Sequence, residues 1–332
     1  MTTEAFLALR WFDDDRPLVE PPFPSPILAD PTFLFPSETA AATLEGAGAK
    51  AAHAKPTWAL FAHTAFGIRR YISEDGLAWQ DRGQVVANAM RAFVRRIDGE
   101  FILAYEKYRP FALPLQLLPR RPRWHSRLEA RRSADLERWS EPEVLLEPDF
   151  AWARAPGLGE SLSNPCLVPT GSGWRLWFSA SLVTIADCGF DEPRFIACAD
   201  AAAPTGPFAA PSGPRLAPSL EKGDDLLGEG SIKVIELEDG WIGLQNKIFR
   251  GIDGRSRSAI FLLRSEDGLS FRAARREPLL GPSSGWRSSH VYACDCRRDP
   301  EDGSWYLYYN ARDGWYKTKG RERIGRLVGR EK

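Results

Sequence analysis

The apolar residues of this chain fall in short runs, and long helical stripes are scarce. Most runs alternate apolar and polar positions and end at Gly, Asp or Pro, which is typical of half-buried β-strands. The stretch GEGSIKVIELEDGWIGLQNKIF (228–249) shows two such strands around the acidic turn EDG. Glycine in a turn of this kind supplies the positive φ that a tight hairpin needs. The pattern predicts an all-β protein.

The same layout recurs five times. In each copy a polar opening leads into an apolar strand, a turn, an aromatic-rich strand and a further strand that often ends in an SxDGLxW-type segment. This repeat predicts a five-bladed β-propeller that occupies residues 1–332 as one domain. The predicted blades are approximately 28–86, 87–148, 160–210, 227–280 and 286–330.

The fifth unit is one strand short. Residues 5–20 could supply the missing strand, which would close the ring and remove an exposed sheet edge. A β-sandwich is the alternative architecture, but the fixed period and the matched strand openings favour the ring.

Residues 109–124 interrupt the second unit. This insertion is apolar, proline-rich and basic, and it is too long for a hairpin turn. It is interpreted as a lid over a pocket or as a contact in a homo-oligomer, and a plain surface loop is the alternative.

Composition and charge argue against several classes of function. The 332 residues carry 44 acidic and 44 basic side chains, so no basic excess indicates a nucleic-acid partner. No apolar run is long enough for a membrane span, and the N-terminal stretch MTTEAFLALRWFDDD lacks the pattern of a secretion signal. The five cysteines are odd in number and lack metal-site spacing. Buried, reduced thiols in a cytoplasmic protein are therefore expected.

Polar residues stand at the openings of the predicted first strands. In a propeller these strands line the central channel, so their openings converge at one end. The openings carry Asp30, Met90 with Arg91, Asn164, Glu229 and His290. Two facing carboxyl groups are what glycoside hydrolysis requires, one to donate a proton and one to activate water or to attack. Asp30 and Glu229 are therefore the predicted catalytic pair, although an Asp before Pro and a GEG loop are each ordinary turn sequences.

These motifs resemble those of the furanosidase superfamily of five-bladed propellers, and most closely the family-43 glycoside hydrolases. ADPTFLF resembles the motif that carries the general base, which implies that role for Asp30. GEGSIKVI resembles the motif that carries the general acid, which implies that role for Glu229, although Ser231 replaces the family's proline. A third carboxylate, which orients the acid and raises its pKa, is replaced by Asn164 in LSNPCLVP. The resemblance also implies inversion at the anomeric carbon.

Other residues are candidates for substrate binding. Arg91 and Arg287 suit sugar hydroxyls or an anionic group, because a guanidinium binds bidentately. Trp152 and Trp286 could stack on a sugar face. Glu160, shortly before the LSNP motif, could compensate for the missing carboxylate there.

The resemblance implies a metal, usually calcium, beside a histidine of the last blade in the central channel. His290 in SSHVYACD is the corresponding residue. A structural, hydrogen-bonded histidine is the alternative, since calcium prefers oxygen ligands. No other cofactor is expected.

Two functions remain open. The first is an enzyme that cleaves or transfers a glycosidic bond, with Glu229 as acid, Asp30 as base and Asn164 orienting the acid. The second is a non-catalytic carbohydrate-binding propeller, which the loss of the third carboxylate and of the proline favours. The fold by itself does not choose between them. Because no secretion signal is recognised, a small or intracellular carbohydrate is the expected ligand.

Overall fold

The chain folds as a ring of five antiparallel sheets around a central channel. A computed structural model describes residues 1–45, 56–118, 120–218 and 225–331, and Pro119 of the predicted insertion lies outside these ranges. The prediction of a five-bladed β-propeller is confirmed, and the sandwich alternative is wrong, because the sheets are arranged as blades around an axis.

Each blade is built from consecutive strands of the chain. A short helix α1 (Thr3–Leu7) and strand β1 (Arg10–Asp13) come first. Blade one comprises β2 (Ala29–Leu34), β3 (Trp58–Thr64), β4 (Gly67–Ser73) and β5 (Gln80–Ala87), with helix α2 (Pro36–Glu45) after β2. Blade two comprises β6 (Ala89–Ile97), β7 (Glu100–Tyr108), β8 (Trp124–Ser133) and β9 (Glu143–Leu146), with helix α3 (Ala112–Leu115) after β7.

Two short strands, β10 (Arg154–Ala155) and β11 (Gly159–Glu160), extend the second sheet. Blade three comprises β12 (Leu162–Thr170), β13 (Gly173–Ile185) and β14 (Phe190–Ala201). Blade four comprises β15 (Leu226–Leu237), β16 (Gly240–Arg250), β17 (Ser256–Ser265) and β18 (Arg272–Ala273). Blade five comprises β19 (His290–Arg298), β20 (Trp305–Arg312) and β21 (Glu322–Arg330).

The innermost strands form a closed circle. Strand β2 contacts β6, β6 contacts β12, β12 contacts β15, β15 contacts β19, and β19 returns to β2. These strands are mostly buried on both faces, because the neighbouring blades cover their sides and the channel lies between them. The first residues of all five strands therefore lie at one end of the ring, which is called the mouth below.

The N-terminal segment closes the ring as predicted. Strand β1 pairs antiparallel with β21, in a register that sets Arg10 against Arg330. In α1, the fully buried Phe6 packs edge-to-face on Trp305 of blade five, with 4.8 Å between ring centroids. First and last segments of the chain thus share one sheet, and the outer edge of β21 is paired.

A buried ion pair ties three blades together inside the channel. Asp295 of β19 accepts hydrogen bonds from both terminal nitrogens of Arg95 on β6, at 2.7 and 2.8 Å. Thr32 of β2 also donates to Asp295, at 2.7 Å. Burial alone would raise the pKa of Asp295, but the adjacent Arg95 holds it at about 2. The carboxylate therefore stays ionised in a site from which water is excluded.

Two further expectations from the sequence concern the state of the cysteines and the absence of a membrane-spanning segment. All five cysteines are buried and none forms a disulfide. Among the helices in the described ranges, none has the length and apolar character needed to cross a bilayer.

Candidate functional site

Each innermost strand carries the same irregularity at its opening. Between two paired positions, the inner strand has one residue more than its partner strand. These β-bulges lie between Ala29 and Thr32, Met90 and Phe93, Ser163 and Cys166, Gly228 and Ser231, and Val291 and Cys294. A bulge bends its strand and re-aims a side chain. Five bulges at the mouth direct five sets of side chains towards one space.

The backbone conformation identifies equivalent positions in four of the bulges. Asp30, Arg91, Asn164 and Gly230 all have left-handed φ values, between 51° and 58°. In blade four the left-handed residue is Gly230, whereas the pairing with the second strand puts Glu229 at the position that Asp30 occupies in blade one. A β-carbon at Gly230 would lie 2.6 Å from Asn246 Oδ1, so glycine is required there for close packing as well as for φ.

A cavity of roughly 390 Å³ opens at the mouth, which is within the size range of small-molecule sites. Three of the predicted residues, Asp30, Arg91 and Asn164, line it. Its other polar lining groups include His63, Glu192, Asn246, Glu322 and Lys317. Its apolar wall includes Ile27, Phe66, Met90, Leu113, Leu182 and Phe190. This mixture of apolar surface and converging polar groups suits a ligand with many hydroxyl groups and an apolar face.

Glu229 is not among the described residues that line this cavity. The cavity lining of blade four consists of Gly230, Ser231 and Asn246, while Glu229 is only 4% exposed. Its carboxylate accepts a hydrogen bond from Gln245 Nε2 on β16. The structure therefore brings Asp30, Arg91 and Asn164 together in one cavity, and it places Glu229 in the strand segment directly before two residues that line it.

Asp30 is held by residues from two blades. Its backbone N–H donates to Asn310 Oδ1 of β20 at 3.1 Å. Its carboxyl oxygen Oδ2 lies 3.2 Å from His63 Nδ1, within hydrogen-bonding distance. Burial and the nearby Arg91 lower the pKa of His63 to about 3, so this imidazole is neutral. Burial also raises the pKa of Asp30, and the positive charges of Arg91 and Lys233 oppose that rise.

Arg91 supplies a fixed positive charge beside Asp30. Its Nη1 donates to the fully buried Glu106 at 2.7 Å, and Trp124 Nε1 donates to the other carboxylate oxygen of Glu106 at 3.1 Å. Burial would lower the pKa of Arg91, but Glu106, Asp30 and Glu192 raise it. The guanidinium is therefore permanently charged and cannot rotate freely.

Glu192 of β14 is a cavity residue that the sequence interpretation missed. It is 9% exposed, and in the described part of the chain its carboxyl group has neither a hydrogen bond nor an ion pair. Burial raises the pKa of Glu192 to about 8; Arg91 opposes this rise, and the charges of Glu322 and Asp30 add to it. The group is thus protonated at neutral pH. Its signal in the sequence is the acidic pair DE at the start of the third strand of blade three.

Asn164 connects blades three and four. Its Nδ2 donates to Ser163 Oγ and to Ser179 Oγ, both at 3.3 Å. Ser179 Oγ in turn donates to the backbone oxygen of Gly230 at 2.6 Å. Asn164 therefore positions the opening of blade four through Ser179.

Three predicted substrate-binding residues have other surroundings. Trp152 packs against Phe150, with 4.5 Å between ring centroids, and its Nε1 donates to the backbone oxygen of Pro211. Trp286 stacks on Tyr309 inside blade five. Arg287 forms an ion pair with Asp13 of β1. These residues pack or tie blades together, and the structure does not place them in the cavity.

Glu160 lies in a second, more open cleft at the edge of blade two. Its carboxylate pairs with Arg154 at 3.0 Å and lies 3.5 Å from His125. This cleft is separate from the cavity that Asn164 lines, so Glu160 is not a neighbour of the bulge at which a carboxylate is missing.

His290 is buried beside the cavity. Its Nδ1 lies 3.0 Å from Ser289 Oγ, and its ring stacks on Tyr292 at 5.5 Å. Burial and the nearby Arg312 lower the pKa of His290 to about 3. Across the described ranges no three His, Cys, Asp or Glu side chains form a metal-binding group. The donors at His290 therefore do not fit a calcium ion, which needs several oxygen ligands.

The insertion after β7 forms part of the cavity wall. Leu113, Pro114, Gln116 and Leu117 line the cavity. Arg121 anchors the insertion to blade three through an ion pair with Asp191, with Nη2 2.9 Å from Oδ1, and Lys317 Nζ of blade five donates to the backbone oxygen of Gln116 at 3.2 Å. The insertion thus bridges the mouth from blade two towards blades three and five.

Comparisons with known proteins support the fold. No protein-family profile and no curated protein sequence matches the chain. Among solved structures, an N-acetylgalactosamine deacetylase from F. plautii in complex with blood group B trisaccharide has a TM-score of 0.61 at 12% identity, with 97% of this chain and 95% of that chain covered. A family 117 glycoside hydrolase of the marine bacterium Zobellia galactanivorans has a TM-score of 0.58 at 13% identity, with 97% and 91% covered.

A thermostable family-43 glycoside hydrolase has a TM-score of 0.57 at 13% identity, with 90% of this chain and 88% of that chain covered. The protein is therefore a five-bladed β-propeller whose structural neighbours include glycoside hydrolases of families 43 and 117, in agreement with the resemblance found in the sequence. At these identities the likeness establishes the fold and leaves the chemistry to the residues of the site.

Proposed function

We propose that this protein cleaves or transfers a glycosidic bond of a small carbohydrate held in the mouth cavity. The observation that carries the proposal is the presence of two carboxyl groups, the partly exposed Asp30 and the buried Glu192, on the wall of one cavity beside Arg91. Glycoside hydrolysis needs one protonated and one ionised carboxyl group. Two interacting carboxyl groups in one site satisfy that need when their environments separate their pKa values.

Glu192 is the proposed general acid. A pKa of about 8 leaves its proton in place at neutral pH, so it can protonate the leaving oxygen. Glu229, the acid expected from the sequence, is the alternative, and Glu192 is favoured because it lines the cavity together with Asp30, whereas Glu229 is not among the described lining residues. In either assignment Asn164 positions the opening of blade four and does not act on the substrate.

Asp30 is the proposed base. Burial raises the pKa of Asp30, but the positive charges of Arg91 and Lys233 oppose that rise, and His63 fixes the orientation of the carboxyl group through the contact at Nδ1. The buried hydroxyl of Tyr292 on the cavity wall has no hydrogen-bond partner in the described part of the chain. That hydroxyl is available to a sugar hydroxyl group. Inversion is the expected stereochemistry, and proton NMR of the first anomer formed tests it.

The decisive experiment compares Glu192→Gln, Glu229→Gln and Asp30→Asn on aryl glycosides with good and poor leaving groups. Loss of the general acid should reduce turnover of poor leaving groups by about 10²–10⁴-fold and spare activated ones. Asp30→Asn should reduce turnover for both kinds. Glu160→Gln, in the second cleft, is the matched control and should act like the wild type.

The pH profile gives an independent readout. The acid must be protonated to act, so the activity of the wild type should fall as the pH rises through about 8. Glu192→Gln should remove this alkaline limb. If the alkaline limb is lost in the Glu229→Gln variant and kept in the Glu192→Gln variant, Glu229 is the general acid.

A carbohydrate-binding propeller without catalysis is the second candidate, and the amide at Asn164 is the observation that favours it. Asn164→Asp tests this candidate, because a restored carboxylate should increase the rate if its absence limits hydrolysis. A wild type and an Asn164→Asp variant that bind a glycoside equally and cleave none of a broad panel would establish the binding function and refute the enzyme proposal.

A further inference from the structure

The hairpins between the second and third strands of the five blades all lie at the mouth. Four of them line the cavity directly, through Phe66, Leu117, Gly189 and Lys317. The remaining hairpin, between β16 and β17, touches the last one, since Trp315 Nε1 donates to the backbone oxygen of Ser256 at 3.2 Å. The rim of the mouth is therefore formed by these five hairpins.

Large apolar side chains are exposed mainly on this rim. Ten such side chains are exposed in the described part of the chain, and seven of them belong to the rim hairpins: Phe66, Phe111, Leu115, Leu117, Leu118, Ile252 and Tyr316. Phe111 is 72% exposed and Ile252 is fully exposed. Four of the connections at the opposite end, those between the first and second strands of blades two to five at 98–99, 171–172, 238–239 and 299–304, contain none of the ten. Apolar exposure concentrated on one face indicates a surface that meets an apolar partner.

Positive charge accompanies these apolar side chains. The rim segments 109–123 and 313–321 contain seven arginines and lysines and one aspartate, although the whole chain is neutral. Arg109, Arg120 and Arg123 are exposed, and within the described ranges they form no ion pair. The hairpins at the opposite end read DG, GS, ED and DPEDGS, so they are acidic or uncharged. The charges of the molecule are therefore separated along its axis.

We propose that the mouth docks on the surface of an anionic lipid bilayer and that the cavity receives the sugar of a lipid-linked glycoside from that surface. Single apolar side chains on separate loops can each enter the headgroup region, while the arginines between them attract anionic headgroups. A protein bound to the same rim would cover the cavity. A bilayer would instead present the sugar groups of its glycolipids to the cavity. The docking proposal depends only on the residues of the rim. The proposal of a glycolipid substrate depends in addition on the proposed glycosidase activity.

The experiment measures sedimentation of the full-length protein with two kinds of vesicle, phosphatidylcholine alone and phosphatidylcholine mixed with phosphatidylglycerol. Binding should be much tighter to the mixed vesicles and should weaken with salt. Replacement of Arg109, Arg120 and Arg123 by Gln should weaken binding by about a hundredfold, since each surface arginine contributes about fivefold. The double variant Phe111→Ser with Leu118→Ser should weaken it by about tenfold or more.

Matched controls use exposed residues of the outer strands. Phe12→Ser with Val144→Ser removes two exposed apolar side chains that lie off the rim. Replacement of Arg272, Arg275 and Arg276 by Gln removes three exposed arginines in and next to β18. Both controls should bind the mixed vesicles as the wild type does.

Several results would overturn the proposal. These are failure to bind the mixed vesicles, equal binding to both vesicles, and rim variants that bind no more weakly than their controls. Self-association that the rim variants abolish while vesicle binding is absent would instead identify a second copy of this chain as the partner.

The substrate is tested separately from docking. If a vesicle-borne glycolipid is hydrolysed, Phe111→Ser with Leu118→Ser should slow that reaction and leave hydrolysis of a soluble aryl glycoside unchanged. Glu192→Gln should still bind vesicles. Vesicle binding without hydrolysis of any glycoside would refute the proposed function and support the docking surface. Hydrolysis of soluble glycosides without vesicle binding would refute the docking surface and support the proposed function.

Discussion

Replacing Glu192 by glutamine should stabilise the protein while removing its activity. The wild-type fold keeps a carboxyl group in a buried position where ionisation is costly, and this raises its pKa from 4.5 to about 8. Glutamine resembles the protonated carboxyl group in shape and carries no charge at any pH. At neutral pH, ionisation of this carboxyl group stabilises the unfolded wild type but not the folded wild type. The glutamine variant has no such group to ionise, so its unfolded state gains no such stabilisation.

The size of the effect depends on pH. Below about pH 4.5 the carboxyl group is protonated in both states, and the stabilities of variant and wild type differ little. As the pH rises, the unfolded wild type gains the free energy of ionisation, at about 1.36 kcal/mol per pH unit, until the folded carboxyl group also ionises near pH 8. The variant should be more stable by about 3 kcal/mol at pH 7 and by nearly 5 kcal/mol above pH 8.

Urea unfolding followed by tryptophan fluorescence, at several pH values between about 5 and 8, measures this difference. Glu236→Gln, which replaces an exposed glutamate of β15, is the control and should show a small difference that does not change with pH. If the difference between Glu192→Gln and wild type is the same at pH 5 and pH 8, Glu192 is ionised at neutral pH, and its assignment as general acid is wrong.

Three further predictions concern the ring and the bulges. Asp295→Asn breaks the buried pair with Arg95 and leaves an uncompensated charge in the channel, so urea unfolding should reveal a loss of about 3–5 kcal/mol; a loss below about 1 kcal/mol would contradict the tie between blades. Phe6→Ala should cost about 3–5 kcal/mol because it empties a packed site against Trp305, and a melting temperature equal to that of the wild type would show that the N-terminal segment does not hold the ring closed. Gly230→Ala should lower both stability and ligand binding, because a β-carbon meets Asn246 at a left-handed φ; unchanged thermal melting and ligand titration would argue against the bulge geometry.

Local sequence patterns determine much of this fold. Alternating strands with glycine turns follow from short-range preferences, so the all-β class, the five repeats and the need for an N-terminal closing strand could be predicted from residues alone. The same repeat located Asp30, Arg91 and Asn164, because a repeated strand opening occupies a repeated place in the ring. These residues do line one cavity.

The tertiary structure decided the rest. Each bulge adds one residue to its strand, and in blade four the left-handed residue of the bulge is Gly230, which lines the cavity, whereas Glu229 is not among the described lining residues. Glu192 enters the site from a third strand, and its raised pKa arises from burial and from charges on other blades. Arg287 is drawn to Asp13 at the far end of the chain. Electrostatic and packing interactions act through space, so residues distant in sequence set the chemistry that each residue can perform.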